Sequence, residues 1–202
     1  VLIPRYPGHG TRLEEMTKSS VKEWFRCARE SYLELASRCS DLSVVGLSMG
    51  GLFAAALGAE FAPRRLVLIS TPHSLKQKHV VFAPLLAPFI KLIPSPDTKL
   101  GINDPESRSS HVCYRGGNPV MQSFQLFCFA GKVRSLLSEI KTSTLIIQSK
   151  QDSVIPKGSL DYFYRKIGSE DKRTLWFEKS GHNIPMDYDR EELGSRIVDF
   201  LG

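Results

Sequence analysis

Short apolar runs rich in β-branched residues alternate along this chain with segments whose apolar positions recur every three or four residues. Leu42-Ser43-Val44-Val45-Gly46-Leu47 reads as a buried strand that stops at Ser48, and Leu52 to Leu57 continues as a helix. Ahead of it, Val1-Leu2-Ile3-Pro4 has the composition of a strand's tail, and Arg5 to Thr11 is a loop set by its Pro and Gly residues. From Ser20 the positions Val21, Trp24, Phe25, Ala28, Tyr32, Leu35 and Ala36 share one helical face, with Ser20 and Glu23 as a capping box. Pro63 breaks the helix after Ser48, and Arg65 to Ser70 gives the next strand, ended by Thr71-Pro72. Strand, helix, strand with unbroken apolar runs indicates a parallel α/β sheet.

Residues 71–142 break that rhythm, with many Pro and Gly residues and irregular helical pieces such as Met121 to Phe129 and Val133 to Ile140. A stretch of this length without regular structure is uncommon in a core, so it reads as an inserted cap. The expected organisation is a core first part over 1–70, a cap over 71–142 and a core second part over 143–202. Within the cap, Val80 to Ile93, with Phe82, Leu85, Leu86 and Phe89, either packs on the main domain or lines an acyl pocket. The α/β rhythm resumes with the strand Thr144 to Gln148, a helix over Leu160 to Ile167, and the strand Thr174 to Phe177. A last helix follows Asp189 and buries Leu193, Ile197, Val198 and Leu201.

Composition narrows the function classes. At 202 residues and 42% hydrophobic, the chain suits one globular domain with an inserted subdomain. Its net charge is +6, but the 27 Lys and Arg are scattered with no basic stripe among aromatics, so no nucleic-acid partner is expected. Cys27, Cys39, Cys113 and Cys128 form no C-x-x-C pair; reduced, mostly buried thiols in a cytoplasmic protein are expected, and no metal. The longest apolar tract, Val80 to Pro94, contains Pro84, Pro88 and Lys91 and is too short to span a bilayer. A monomer or weak homodimer acting on a small molecule fits these features.

The chemistry concentrates where strands end. Gly46-Leu47-Ser48-Met49-Gly50 places a serine on a sharp strand-to-helix turn, where the backbone two residues before and two after must approach closely; Gly46 and Gly50 are expected to meet that demand. A phosphate loop would add Lys-Ser/Thr or a third spaced glycine, and neither is here. Asp152 follows a later strand and His182 the last one. In a parallel sheet all carboxyl ends share one edge, so the three residues can converge. His182 would take the proton from Ser48 as it attacks a carbonyl, and Asp152 would hold the imidazole tautomer. His9, between two glycines with no acidic neighbour, reads as a loop residue.

Three turns carry a family resemblance: Gly46-Leu47-Ser48-Met49-Gly50-Gly51, the Gln148 to Pro156 turn with Asp152 and Ile155, and Ser180-Gly181-His182. They resemble the α/β-hydrolase superfamily, most of all its bacterial carboxylesterase and monoacylglycerol lipase branch, grouped with serine aminopeptidase S33 and Hydrolase_4-type domains. Arg5-Tyr6-Pro7-Gly8-His9-Gly10 resembles that branch's loop after the fourth strand. The resemblance implies Ser48 as nucleophile, Asp152 as acid, His182 as base, and the Met49 backbone N–H as an oxyanion donor. It implies no cofactor, and carboxylic esters with short to medium acyl chains as substrates. A peptidase or thioesterase on the same scaffold is the alternative; a proline iminopeptidase would need acids in the cap, where only Asp97, Asp104, Glu106 and Glu139 occur. The branch also begins with three further strands, whose His-Gly-aromatic loop supplies the second oxyanion donor. Their absence from this chain, roughly 45 residues, leaves an inactive fragment, or a binding module that keeps the fold without the full site, as a further alternative.

Overall fold

The computed structural model describes residues 1–76, 78–94, 101–110 and 117–202, without the side chains of Lys78 and His79. Asp97 and Cys113 lie outside the described residues. In chain order the elements are α1 (Leu13–Thr17), α2 (Val21–Ala36), β1 (Ser43–Leu47), α3 (Met49–Phe61) and β2 (Arg65–Ile69), followed by α4 (Ala83–Leu86), β3 (Leu92–Ile93) and α5 (Pro105–Ser110). Then come β4 (Asn118–Pro119), α6 (Val120–Leu136), β5 (Ser143–Ser149), α7 (Ser159–Lys166), β6 (Lys172–Phe177) and α8 (Arg190–Leu201).

The chain divides into two compact units. One contains Val1–Asp41, Gln77–Asp97 and Val112–Phe129, and the other Leu42–Lys76, Thr98–His111 and Ala130–Gly202. The stretch 71–142 thus contributes to both.

The second unit holds a four-stranded parallel sheet in the order β1-β2-β5-β6. Its register sets Val45 beside Val67, Val67 beside Leu145 and Ile147 beside Leu175. Leu66, Val67 and Leu68 are all fully buried, which is why β2 shows no polar alternation: both faces are covered. Val67, Ile69, Leu145, Ile147, Phe177, Ile184, Leu193 and Phe200 form one apolar cluster. Helix α3 is buried from Gly51 to Gly58, matching its lack of a polar face. At Gly58 a Cβ would lie 2.9 Å from Leu66 Cδ2, so the missing side chain lets α3 close on β2.

The first unit is organised around Trp24. Its ring is buried, and Nε1 donates to Pro7 O at 2.8 Å and to Ser19 Oγ at 2.9 Å. His9 packs edge-on against Trp24, with centroids 4.7 Å apart, and against Tyr6. Gly8, at φ +75°, must be glycine: a Cβ would lie 2.7 Å from Met16 Cα. Ser20 caps α2 by accepting from the Glu23 N–H, and Gln122 Nε2 at the start of α6 donates to Thr17 O and Ser19 O.

Five expectations change. On α8 the buried face is narrower than its apolar positions suggest: Leu193 and Phe200 are buried, but Val198 is 69% exposed. Val1–Pro4 joins no ladder among the described residues, and Val1 and Ile3 are exposed; a strand needs a neighbour to take its N–H and C=O groups, whatever its composition. Met121 to Phe129 and Val133 to Ile140 are not separate pieces but one helix, α6, with a 3₁₀ turn at Leu137–Glu139, because nothing between them breaks the backbone pattern. Cys39 and Cys128 are exposed and Cys27 half-buried, all three as free thiols: Cys39 lies beyond the end of α2, and Cys128 on the outer side of α6. Along Val80 to Ile93, Val80 and Ala83 are buried, but Phe82, Leu85 and Phe89 are exposed, Phe89 at 87%.

Candidate active site

Ser48 sits between β1 and α3 at φ 54° and ψ −116°, a conformation an L-residue holds only under constraint. Its N–H donates to Ile69 O at 2.8 Å, and its C=O accepts from the Gly51 and Leu52 N–H groups. The strand thereby runs into the helix with one residue of turn, which pushes the side chain outward. Gly46 makes this possible, since a Cβ there would lie 2.2 Å from Gly50 O. Gly50 itself corrects an expectation: a Cβ there would meet nothing within 4 Å among the described residues. The close approach falls one residue later, where a Cβ on Gly51 would sit 1.9 Å from Thr71 Oγ1.

The loops after β5 and β6 bring Asp152 and His182 to this serine. His182 Nε2 lies 2.8 Å from Ser48 Oγ, and His182 Nδ1 lies 2.8 Å from Asp152 Oδ2. Asp152 is 2% exposed, and its other oxygen accepts the Val154 and Ile155 N–H groups at 2.9 and 3.1 Å. With Oδ1 occupied, Oδ2 faces the ring and accepts Nδ1–H. That tautomer leaves Nε2 with a lone pair for the serine proton. Such a line can deprotonate a hydroxyl as it attacks a carbonyl and return the proton to a leaving group. Met49 opens α3, so its N–H is among those with no partner inside the helix.

The histidine loop is fixed by groups that the motif does not reveal. Ser149 Oγ donates to Ser180 O and accepts the Gln151 N–H. Ser180 exchanges three hydrogen bonds with Asp189: its N–H and Oγ donate to Oδ2 at 2.8 and 2.7 Å, and the Asp189 N–H returns one to Oγ at 2.8 Å. Asp187 accepts the Gly181 N–H at 2.7 Å. The available signal was the pair of aspartates shortly after His182, which otherwise reads as a helix start. His9 belongs to the first unit's packing and takes no part in this line.

Among the described residues no group of three His, Cys, Asp or Glu is placed to hold a metal ion, and no helix is long and apolar enough to cross a membrane.

Known proteins resemble this chain along nearly its whole length. A carboxylesterase of Bacillus subtilis (strain 168) is 25% identical over 199 residues, spanning 98% of this chain and 79% of that protein. A thermostable monoacylglycerol lipase of Bacillus sp. (strain H-257) is 27% identical over 204 residues, spanning 100% of this chain and 78% of the lipase. Among solved structures, one from work on LipS and LipT, two metagenome-derived lipolytic enzymes, matches with a TM-score of 0.87 and 27% identity over 98% of this chain and 80% of that one. A soluble variant of the Saccharomyces cerevisiae monoglyceride lipase matches with a TM-score of 0.81 over 98% of this chain and 75% of that one; at 16% identity it speaks to the fold alone. The fold is that of the α/β hydrolases. The family model described as Serine aminopeptidase, S33 matches residues 8–189, and the chain therefore belongs to the Hydrolase_4 family.

Proposed function

We propose that this protein is a serine hydrolase that cleaves carboxylic esters of small molecules through an acyl-enzyme, with monoacylglycerols or esters of short to medium acyl chains as substrates. The observation that carries the reading is the line from Ser48 through His182 to Asp152, closed by two contacts of 2.8 Å. Its carboxylesterase and monoacylglycerol lipase relatives favour esters over other acyl compounds.

In this reading Ser48 Oγ attacks the ester carbonyl while His182 Nε2 takes its proton, and Asp152 stabilises the imidazolium. The Met49 N–H, supported by the positive end of the α3 dipole, faces the developing oxyanion. His182 then protonates the departing alcohol. Water repeats the sequence on the acyl-enzyme, releasing the acid and restoring Ser48. No cofactor is needed. Residues 71–142 act as the cap that sets acyl-chain preference, a role supported by the apolar character of Phe82, Leu85 and Phe89. Free thiols at Cys27, Cys39 and Cys128 support a reducing, cytoplasmic setting, and a monomer or weak homodimer is the working form.

A fluorophosphonate probe together with p-nitrophenyl esters, an acyl-CoA and a proline amide tests the reading. The expected result is ester hydrolysis and covalent labelling, both lost in Ser48→Ala. Equal labelling of wild type and Ser48→Ala overturns the nucleophile; preference for the thioester or the amide overturns the substrate class.

A further inference from the structure

The segment Gly101–Asp104 lies directly against the histidine loop. Gly101 O accepts the Asn183 N–H at 2.8 Å, and Asn103 Nδ2 donates to Lys179 O at 2.9 Å. The contact is backbone on backbone at its centre. A Cβ on Gly101, which is at φ +65°, would lie 2.6 Å from His182 Cβ, and one on Gly181 would lie 2.5 Å from Gly101 O.

One carboxylate ties the two segments together. Asp187 is fully buried; its Oδ2 accepts the Gly181 and Asn103 N–H groups at 2.7 and 2.6 Å, and its Oδ1 accepts the Asp104 and Tyr188 N–H groups at 2.9 and 2.8 Å. Four amide dipoles from three stretches of chain converge on this anion, an arrangement that compensates a buried charge without a cation. Asp187 thus holds Gly181, the residue before the histidine, and the Gly101 backbone lies against the histidine Cβ.

We propose that Asp187 is a positioning residue for His182, acting through Gly181 and through the Gly101–Asp104 segment to hold the imidazole in line between Ser48 and Asp152. The proposal rests on the reading of His182 as general base. It makes a piece of the 71–142 stretch part of the support of the catalytic line.

The test compares wild type, Ser48→Ala, Asp187→Asn and Gly101→Ala by steady-state hydrolysis of p-nitrophenyl butyrate, by thermal unfolding, and by the downfield NMR resonance of the proton shared between His182 Nδ1 and Asp152. Asp187→Asn replaces an acceptor with a donor where only N–H groups point; Gly101→Ala pushes directly on the His182 Cβ. Each is expected to lower kcat about 10- to 100-fold with KM within about threefold, as small misplacements of a catalytic group do, and to shift or broaden the Nδ1–H resonance. Variants that fold and keep both wild-type kcat and an unchanged resonance, with only a lower melting temperature, overturn the proposal. If Asp187→Asn does not fold, Gly101→Ala decides it by the same two readouts. Should wild type and Ser48→Ala hydrolyse the ester equally, the serine hydrolase reading fails. The resonance needs no turnover and still judges the positioning of His182.

Discussion

Thr71 occupies the space that a side chain at position 51 would need: a Cβ on Gly51 would come within 1.9 Å of its Oγ1. The residue that leaves β2 therefore sets how closely the first turn of α3 can approach, and with it the placement of Ser48. Gly51→Ala must displace Thr71 or the helix and is expected to destabilise the protein by about 1–3 kcal/mol. Gly50→Ala meets open space and is expected to be stabilising, by up to about 1 kcal/mol, through the lower backbone entropy of alanine in a helix. Urea unfolding of the two variants checks the contrast; equal effects would refute it.

Asp152 uses its oxygens for different purposes, Oδ1 for the Val154 and Ile155 N–H groups and Oδ2 for His182. An asparagine can keep the first pair only by turning its NH₂ toward the ring, which forces the wrong imidazole tautomer. Asp152→Asn is therefore expected to lower kcat roughly 10⁴-fold while the fold survives. Steady-state kinetics beside circular dichroism decides the point.

Ser149→Ala removes a buried hydroxyl that joins the Gln151 N–H to the Ser180 carbonyl. Leaving those groups unpaired is expected to cost about 1–3 kcal/mol. Thermal unfolding at neutral pH measures it.

Two histidines should make the protein acid-sensitive well above the carboxylate range. Burial, opposed at His9 by the Pro7 carbonyl and reinforced at His73 by Arg134, holds both imidazoles below the ordinary 6.5. The unfolded chain then binds protons more readily than the folded one. The stability these groups contribute is complete above 6.5 and is lost as pH falls through their lower folded values. Asp104 and Asp171 are held below 3.8, chiefly by hydrogen bonds from Ser107 and Ser143, so their contribution disappears only in stronger acid. The melting temperature is expected to drop between about pH 7 and pH 5. In a His9→Gln, His73→Gln double variant the slope should be flatter.

The sheet and the meeting of Ser48, Asp152 and His182 beyond its strands were legible for one reason. The central strands β2 and β5 are covered on both faces and carry no polar alternation, and the edge strands β1 and β6 keep short apolar runs, so 42–47, 65–70, 144–148 and 174–177 stand out, and parallel topology sends everything that follows them to one edge. Other features depend on partners that no local pattern announces. Val1–Pro4 is apolar enough for a strand, yet pairing is a property of a neighbour. Which of two adjacent glycines must lack a side chain was decided by Thr71, from the loop after a different strand. Asp187 gathers backbone N–H groups, which every residue but proline possesses, so no residue type marked its partners. Cys39 and Cys128 are small apolar residues whose average habit is burial, overridden by their places past α2 and on the outside of α6.

Because the contact between Ser48 and His182 spans 134 positions of the chain, it cannot form until β1, β5 and β6 have all found their places. Long-range parallel pairing is slow, since loop closure must be completed before any contact rewards it. Recovery of probe labelling after dilution from denaturant would thus report the final stage of refolding, trailing the return of helical signal from α2 and α3, whose hydrogen bonds are local.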